Sequence, residues 1–214
     1  IDTEVYQPVA ATDALEAHGV SLDRPFALFV GRITRQKGLP HLLRAAQEFD
    51  PAIRLVLCAS SPDTPELGNE VTAQVAALRD ARGDDSVIWI PEQLSRPEVM
   101  QFFTHASVFV CPSVYEPQGI VNLEAMACET AVVASDVGGI PEVVTPDCGV
   151  LVHYDAARPA EFEEGLAAAV NRVVADPEAA RAMGTAGRIR ATDDFSWEAI
   201  AQRTLEVYRT ANLA

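Results

Sequence analysis

Residues 26–58 read FALFVGRITRQKGLPHLLRAAQEFDPAIRLVLC, and their pattern predicts the fold of the chain. Two short apolar runs, Phe26–Val30 and Ile53–Cys58, stand on either side of Leu39–Phe49, whose apolar side chains recur at helical spacing. Continuous apolar runs of this length are typical of strands in a parallel sheet that helices cover on both faces. This stretch therefore predicts a strand–helix–strand unit.

The same alternation continues towards the C-terminus. Further strands are predicted at Val87–Ile90, Val108–Cys111, Ala131–Ser135 and Gly149–Val152, and further helices at Pro65–Arg82, from the capping pair Ser95 and Glu98 to His105, and at Gly119–Cys128. Alternating strands and helices build a right-handed doubly wound sheet. We therefore predict an α/β fold with a doubly wound, six-stranded parallel, Rossmann-like sheet, and we expect the usual order 3-2-1-4-5-6.

The two ends of the chain differ from this core. A short helix is predicted at Ala11–His18, and three helices without a further strand at Pro159–Ala175, Pro177–Ala191 and Trp197–Thr210. Neither a repeat nor a linker is visible. We interpret residues 1–214 as one domain, with an entry segment (1–25), a core (26–155) and C-terminal helices (156–214). The opening Ile1-Asp2-Thr3, which has no Met, suggests a piece of a longer chain.

Composition narrows the class of protein. The net charge of −15 and a pI near 4.5 argue against binding to nucleic acid or to an anionic membrane. No apolar run approaches the roughly 18 residues of a membrane span, and no signal-peptide pattern opens the chain. Its four cysteines lack C-x-x-C spacing, so we expect reduced, buried thiols in a cytoplasmic protein without a metal site.

The segment Gly31–Gly38 (GRITRQKG) is predicted to follow the first strand, at the edge of the sheet where ligands bind. It lacks the glycines of G-x-G-x-x-G and the Lys-Ser or Lys-Thr pair of a Walker A loop. It does carry Arg32, Arg35 and Lys37, the only lysine of the chain, just before a helix. Cations beside a helix start favour a phosphate or diphosphate; an ordinary solvated turn is the alternative.

The segment after the fourth strand, Pro112–Glu124 (PSVYEPQGIVNLE), suggests a second anion site. Gly119 allows a ligand to approach the backbone, and the first amides of the helix that follows are free to bind an anion. Glu116 stands at the start of this helix, and Glu124 lies among apolar residues within it. A carboxylate there needs a partner, either an arginine of the protein or the hydroxyls of a sugar or ribose.

These two segments together resemble the retaining GT-B glycosyltransferases of family 4. The resemblance rests on E-x7-E (Glu116, Glu124) after a strand and on G-R-x4-K-G (Gly31, Arg32, Lys37, Gly38) after an earlier one. It extends over nearly the whole chain, through the hinge-like Ile1–Pro8, the loop within Val132–Glu142 and the start of a crossing helix at Phe195-Ser196-Trp197. Tyr115–Glu142 most resembles actinobacterial glycogen synthases, which use ADP-glucose; related enzymes extend glucose 1-phosphate to maltose 1-phosphate.

The resemblance implies that the chain is a donor-binding domain, whose partner is the N-terminal acceptor domain of the same full-length protein. Arg32 and Lys37 would hold the donor diphosphate, Glu116 the hexose and Glu124 the ribose. The base would lie by Pro91–Leu94. The implied catalytic residues are Arg32, Lys37 and Glu116, and the implied donor-binding residues are Gly31, Gln93, Leu94, Gln118, Gly119, Ile120, Val121 and Glu124.

The resemblance also implies glucose transfer with retention, from a nucleotide sugar to an α-glucan or to glucose 1-phosphate. No metal or cofactor is implied, because fixed cations and amide dipoles can stabilise the leaving diphosphate. The acceptor would attack from the leaving-group face without a protein nucleophile. A UDP- or GDP-sugar transferase, a non-catalytic nucleotide-sugar module and a sugar-nucleotide epimerase are the alternatives.

Other residues are predicted to have a smaller part in function. His41, His105 and His153 are expected in surface or core positions, and Trp197 and Tyr208 in packing. Asp136, with Gly138-Gly139 close behind it, is a weaker candidate for lining the acceptor side.

Overall fold

A computed structural model describes residues 1–211 of the chain, so the last three residues of the predicted segment 156–214 lie outside the described residues. It contains one six-stranded, all-parallel sheet in the order β3-β2-β1-β4-β5-β6, as predicted. The strands are β1 Phe26–Ile33, β2 Arg54–Pro62, β3 Val87–Ile90, β4 Val108–Cys111, β5 Val132–Ser135 and β6 Gly149–Val152.

Helices connect the strands and end the described part of the chain. They are α1 Asp13–Ala17, α2 Leu39–Ala45, α3 Pro65–Arg82, α4 Arg96–His105, α5 Ile120–Ala127, α6 Ile140–Val143, α7 Pro159–Ala175, α8 Pro177–Phe195 and α9 Trp197–Ala211. The four-residue helix α6 is absent from the sequence prediction because it is too short to show a helical period. Helix α4 begins with the predicted capping box, in which the Ser95 N–H donates to Glu98 Oε2 at 2.7 Å.

Helices cover both faces of the sheet. Alternate residues of β1 point to opposite faces, so Ala27 and Phe29 pack on one side while Phe26 and Leu28 pack on the other. The first side is closed by α2, α3 and α7, and the second by α1, α4, α5 and α8. Burial on both faces explains why the strands appear in the sequence as continuous apolar runs.

Strands β1 and β2 run further than their apolar segments predict. They continue to pair through Gly31 with Ala59 and Arg32 with Ser60, and the register shifts between Arg32 and Ile33. Backbone hydrogen bonds extend the ladder here without needing apolar side chains. Gly31 and Arg32, predicted in a loop, therefore lie near the C-terminal end of β1, where pairing with β2 fixes their backbone.

The N-terminus of the chain meets the junction between α8 and α9. The Ile1 ammonium group donates to the Phe195 carbonyl at 2.7 Å, and the Trp197 N–H donates to the Ile1 carbonyl at 3.1 Å. Helix α9 then projects with no buried residue. Trp197 is 64% exposed and Tyr208 is 63% exposed, so neither side chain packs against the described part of this chain, and their packing role stays a prediction.

Two further expectations concern the described residues. All four cysteines, Cys58, Cys111, Cys128 and Cys148, are buried free thiols, as predicted. Between residues 1 and 211, none of the helices has the length and apolar character needed to cross a bilayer.

Candidate functional site

The turn between β1 and α2 is built tightly against the end of β4. Thr34 Oγ1 accepts the Lys37 N–H at 3.2 Å and so closes the turn. Gly38 has a φ of 66°, and a Cβ at that position would overlap the Pro112 carbonyl oxygen. The Val114 N–H also donates to the Gln36 carbonyl at 2.8 Å. The two segments singled out in the sequence thus touch through their backbones, at the point where the strand order reverses between β1 and β4.

A lysine–glutamate pair joins these two segments. Lys37 Nζ lies 2.5 Å from Glu116 Oε2, and Glu116 is only 8% exposed. The Ser113 hydroxyl donates to the same Glu116 oxygen at 3.4 Å. A charge-assisted hydrogen bond at this depth is stronger than one in open solvent. The structure therefore brings together two of the three residues predicted to be catalytic.

The loop after β5 holds the Glu116 backbone in place. Gly138 has a φ of 55°, and a Cβ there would overlap the Glu116 carbonyl oxygen. The neighbouring Gly139 N–H donates to that same oxygen at 3.1 Å. These glycines, predicted to line the acceptor side, support the Glu116 main chain.

Helix α5 begins directly beside this pair. Gly119, with a φ of 80°, caps the helix, and the first backbone amides of a helix have no acceptor within it. The predicted donor-binding residues Gln118 and Ile120 are exposed at this end, and Val121 is partly buried. The positive end of the helix and Lys37 therefore meet at one place, which suits an anionic group.

Glu124 lies one helical turn further along α5. Burial raises the pKa of its carboxyl group, while a hydrogen bond from Tyr6 and the charges of Arg96 and Lys37 act in the opposite direction. Burial, aided by the Glu124 charge, also raises the pKa of the Tyr6 phenol to about 12. The Arg96 guanidinium carbon lies 5.8 Å from the centre of the Tyr6 ring. Glu124 is thus supported by a tyrosine and an arginine that the sequence prediction did not name.

A cleft of about 260 Å³ opens at the carboxyl ends of β1, β2 and β3. It brings together four predicted residues, Gly31 and Arg32 on one side and Gln93 and Leu94 on the other. Arg32 is the most accessible of them, with its side chain 75% exposed and its Nη1 3.5 Å from Asp63 Oδ1. Glu92 also lines the cleft and lies within Pro91–Leu94, the segment predicted to border the base; the lining residues that sequence reasoning missed are Val30, Cys58, Ser60 and Val99.

The family assignment comes from comparison with known proteins. The sequence profile of the family described as Glycosyl transferases group 1 matches residues 12–190. This chain belongs to that family. It is 54% identical, over 213 residues, to an alpha-maltose-1-phosphate synthase of Mycolicibacterium smegmatis, a match that covers 98% of this chain and 54% of the relative. The chain thus spans about half the length of the curated relatives it matches.

Solved structures show the same architecture. A sucrose-phosphate synthase from Thermosynechococcus elongatus superposes with a TM-score of 0.79 at 34% identity, covering all of this chain and 51% of that one. The Anabaena protein HepE, in complex with UDP and glucose, superposes with a TM-score of 0.81 over 98% of this chain and 55% of its own, at 19% identity. The sheet and its extra C-terminal helices are therefore those of a group 1 glycosyl transferase domain, the C-terminal half of the GT-B fold.

Not every cation of the predicted cluster in this glycosyl transferase domain faces the same way. Arg35 Nη1 lies 2.7 Å from Glu70 Oε2 on α3, away from the Lys37–Glu116 pair. Arg32 lines the cleft at the ends of β1, β2 and β3, whereas Lys37 is paired with Glu116. Spacing in the sequence could not separate the three, because the short turn at Arg35–Lys37 sends successive side chains in different directions.

Three histidines have structural partners, as expected. His41 Nδ1 lies 2.6 Å from Glu163 on α7, His153 Nδ1 lies 2.7 Å from Asp136, and His105 Nε2 lies 3.0 Å from the Ala11 carbonyl. Across residues 1–211, no three acidic, histidine or cysteine side chains are grouped closely enough to hold a metal ion.

Proposed function

We propose that this chain is the donor-binding half of a retaining glucosyltransferase that uses ADP-glucose and transfers glucose to glucose 1-phosphate or to an α-glucan. The observation that carries the proposal is the pair of Lys37 and Glu116 at the start of α5. It places a cation, a buried carboxylate and a helix N-terminus at one point. A nucleotide sugar carries groups that match all three.

A ligand that binds Lys37 must also provide a new partner for the Glu116 carboxylate, and a simple anion cannot do so. A phosphate that draws Lys37 away leaves the buried Glu116 carboxylate without its cation, and an unpaired buried charge is costly. A donor sugar supplies hydroxyl groups that donate to Glu116 while its diphosphate takes Lys37. The exchange therefore favours a sugar linked to a diphosphate over inorganic phosphate.

The leaving group is the other half of the proposed chemistry. As the bond from the sugar C1 to the diphosphate oxygen breaks, negative charge grows on the diphosphate. Lys37, Arg32 and the first amides of α5 are set to stabilise that charge. The acceptor oxygen bonds to C1 on the same face, and its proton passes to the departing diphosphate, so no protein nucleophile is needed.

The remaining donor groups have candidate places along the same edge. The ribose hydroxyls donate to Glu124 on α5, and the base enters the cleft that contains Gln93 and Leu94. Gly31, Gln118, Gly119, Ile120 and Val121 border the diphosphate. In this arrangement residues 1–25 enter from the acceptor domain, residues 26–155 hold the donor, and residues 156–214 lead back towards that domain.

The choice of ADP-glucose as donor rests on the resemblance of Tyr115–Glu142 to glycogen synthases that use it, and the choice of acceptor rests on the named relative. A protein 54% identical to this chain is called an alpha-maltose-1-phosphate synthase, which supports glucose 1-phosphate as the acceptor. The competing reading, a UDP-sugar transferase, draws only on a shared fold, since HepE is 19% identical to this chain.

Isothermal titration calorimetry with ADP, UDP, GDP and their glucose conjugates tests the proposal. We expect ADP-glucose to bind more tightly than UDP-glucose or GDP-glucose. We also expect it to bind more tightly than ADP, because only the glucose conjugate reaches Glu116. The control is Glu178→Gln, which removes a carboxylate from the first turn of α8. If each nucleoside diphosphate binds as tightly as its own glucose conjugate, the proposed contact between the hexose and Glu116 is overturned. If UDP-glucose binds more tightly than ADP-glucose, the proposed donor is overturned.

A further inference from the structure

The cleft at the ends of β1, β2 and β3 has the shape of a site for one part of a ligand. Its volume of about 260 Å³ lies below the roughly 300–1,000 Å³ of pockets that enclose a whole small molecule. Val30, Leu94 and Val99 give it apolar walls that suit the faces of a flat ring. Arg32 stands in the same lining, so a ring held here can remain joined to a phosphate at the end of β1.

One carboxylate in this lining has no part in the functions described above. Glu92 follows β3, its side chain is 55% exposed, and its Oε1 lies 3.3 Å from His18 Nδ1 at the end of α1. The contact with His18 limits the directions that the carboxylate can take.

The charge of Glu92 also affects the Cys58 thiol, which lines the same cleft. Burial raises the pKa of the Cys58 thiol to about 12, and the negative charge of Glu92 adds to this effect. Cys58 and Glu92 line the same cleft. As a lining residue, the Glu92 carboxylate borders the space that a ring in the cleft would fill.

A carboxylate discriminates between bases because, when ionised, it accepts hydrogen bonds and donates none. Adenine presents an exocyclic amino group at C6, which is a donor. Hypoxanthine has the same two rings but a carbonyl oxygen at C6, and uracil presents an N–H flanked by two carbonyl oxygens. A carboxylate placed opposite C6 therefore accepts from the amino group of adenine but faces a carbonyl oxygen in hypoxanthine, which is repulsive. Opposite uracil it can accept only from the N–H between the two carbonyl oxygens.

We propose that Glu92 is a specificity-determining residue that accepts a hydrogen bond from the 6-amino group of adenine in the donor nucleotide. The inference rests on the proposed function, because it assumes that the cleft receives the base of a nucleoside diphosphate. It goes further by assigning the choice of base to one side chain.

The test compares ADP with inosine diphosphate, which differs from ADP only in the groups around C6. Calorimetric titration of the native chain should give an affinity for ADP about tenfold higher, the scale of one charge-assisted hydrogen bond partly screened by solvent. In Glu92→Gln the gap should shrink to about threefold or less, because an amide both accepts and donates. Glu178→Gln removes the same charge at a distance and should keep the native ratio.

The possible results distinguish a failure of the role of Glu92 from a failure of the proposed function. If none of the nucleoside diphosphates binds, the proposed function fails first. If ADP and inosine diphosphate bind equally to the native chain, or Glu92→Gln keeps the native ratio, the role of Glu92 is overturned while nucleotide binding stands. A native preference for GDP over inosine diphosphate, without one for ADP, would also overturn it, since the amino group read would then be at C2.

Discussion

Lys37 Nζ lies 2.5 Å from Glu116 Oε2, so the only lysine of the chain joins the turn after β1 to the turn before α5. This contact changes what a substitution of Lys37 should do. The sequence alone predicts an exposed loop lysine whose loss leaves stability unchanged. The structure instead predicts that the loss of Lys37 leaves a buried carboxylate without its cation.

Lys37→Ala should therefore weaken ADP binding and also lower stability. We expect a loss of about 1.5–3 kcal/mol in ADP binding and of about 1–3 kcal/mol in the free energy of unfolding. Calorimetry and urea denaturation measure the two effects. The double variant Lys37→Ala/Glu116→Gln should recover stability but not ADP affinity. Unchanged affinity in both variants would make the pair purely structural.

Substitutions of Glu116 and Glu124 should have different effects on the binding of the hexose and of the ribose. Glu124→Gln should weaken ADP and ADP-glucose to similar degrees, because both ligands carry the ribose. Glu116→Gln should weaken chiefly ADP-glucose, because only that ligand carries the hexose. Calorimetric titration of both variants with both ligands gives four ratios, and equal losses in all four would contradict this division of roles.

Burial of Glu124 predicts a dependence of stability on pH. Its pKa is raised in the folded chain, so the folded state holds the proton more tightly than the unfolded state does. Burial of the carboxylate therefore costs stability above the raised pKa, and this cost is relieved as the pH falls through it. Glu124→Gln should be at least as stable as the native chain at pH 7, and its advantage should narrow towards pH 4. Thermal melts of both proteins across this range measure the difference; an advantage that grows on acidification has the wrong sign.

Gly138 offers a test of the support beneath Glu116. A Cβ on Gly138 would overlap the Glu116 carbonyl oxygen, whereas a Cβ on Gly19, whose φ of 70° is also positive, would have no atom within 4 Å. Gly19→Ala should cost about 1 kcal/mol through backbone strain alone. Gly138→Ala should cost more, and it alone should weaken ADP-glucose binding. Equal effects of the two variants on stability and affinity would mean that the contact with Glu116 is unimportant.

The parallel, doubly wound sheet could be predicted from the sequence pattern, and its strand order is the usual one for such sheets. Six apolar runs separated by helices, such as Phe26–Val30 and Val108–Cys111, leave few topologies open once crossovers are right-handed. The far ends of β1 and β2 could not be predicted, since Arg32 and Ser60 pair through backbone groups that leave no trace in side-chain type.

The sequence predicts the candidate site as a set of residues, but it does not predict the contacts among them. The expectation that Lys37 and the start of α5 bind an anion follows from residue type and position. The pairing of Lys37 with Glu116, and the approach of Tyr6 to Glu124, depend on how distant segments fold against each other. No local spacing encodes such contacts, and for the same reason the sequence did not reveal that Arg35 turns to Glu70.

Helix α9 bears on whether this chain can carry out transfer alone. It exposes Trp197, Leu205, Val207 and Tyr208, although apolar side chains of this size usually find a partner. The chain also spans about half of its curated relatives. We expect the 214 residues to bind ADP-glucose without transferring glucose at an enzymatic rate.

The physical reason is that transfer needs an oriented acceptor as well as a bound donor. Orientation of two reactants contributes about 7–11 kcal/mol in favourable cases, and the cations and amides of the proposed donor site would supply none of it. The measurement is release of labelled product from ADP-glucose with glucose 1-phosphate, maltose or glycogen as the acceptor. Slow hydrolysis of the donor is compatible with the prediction. Transfer near 10 s⁻¹, a typical enzymatic rate, would show that the acceptor is oriented by these 214 residues themselves, and the division into donor and acceptor domains would have to be abandoned.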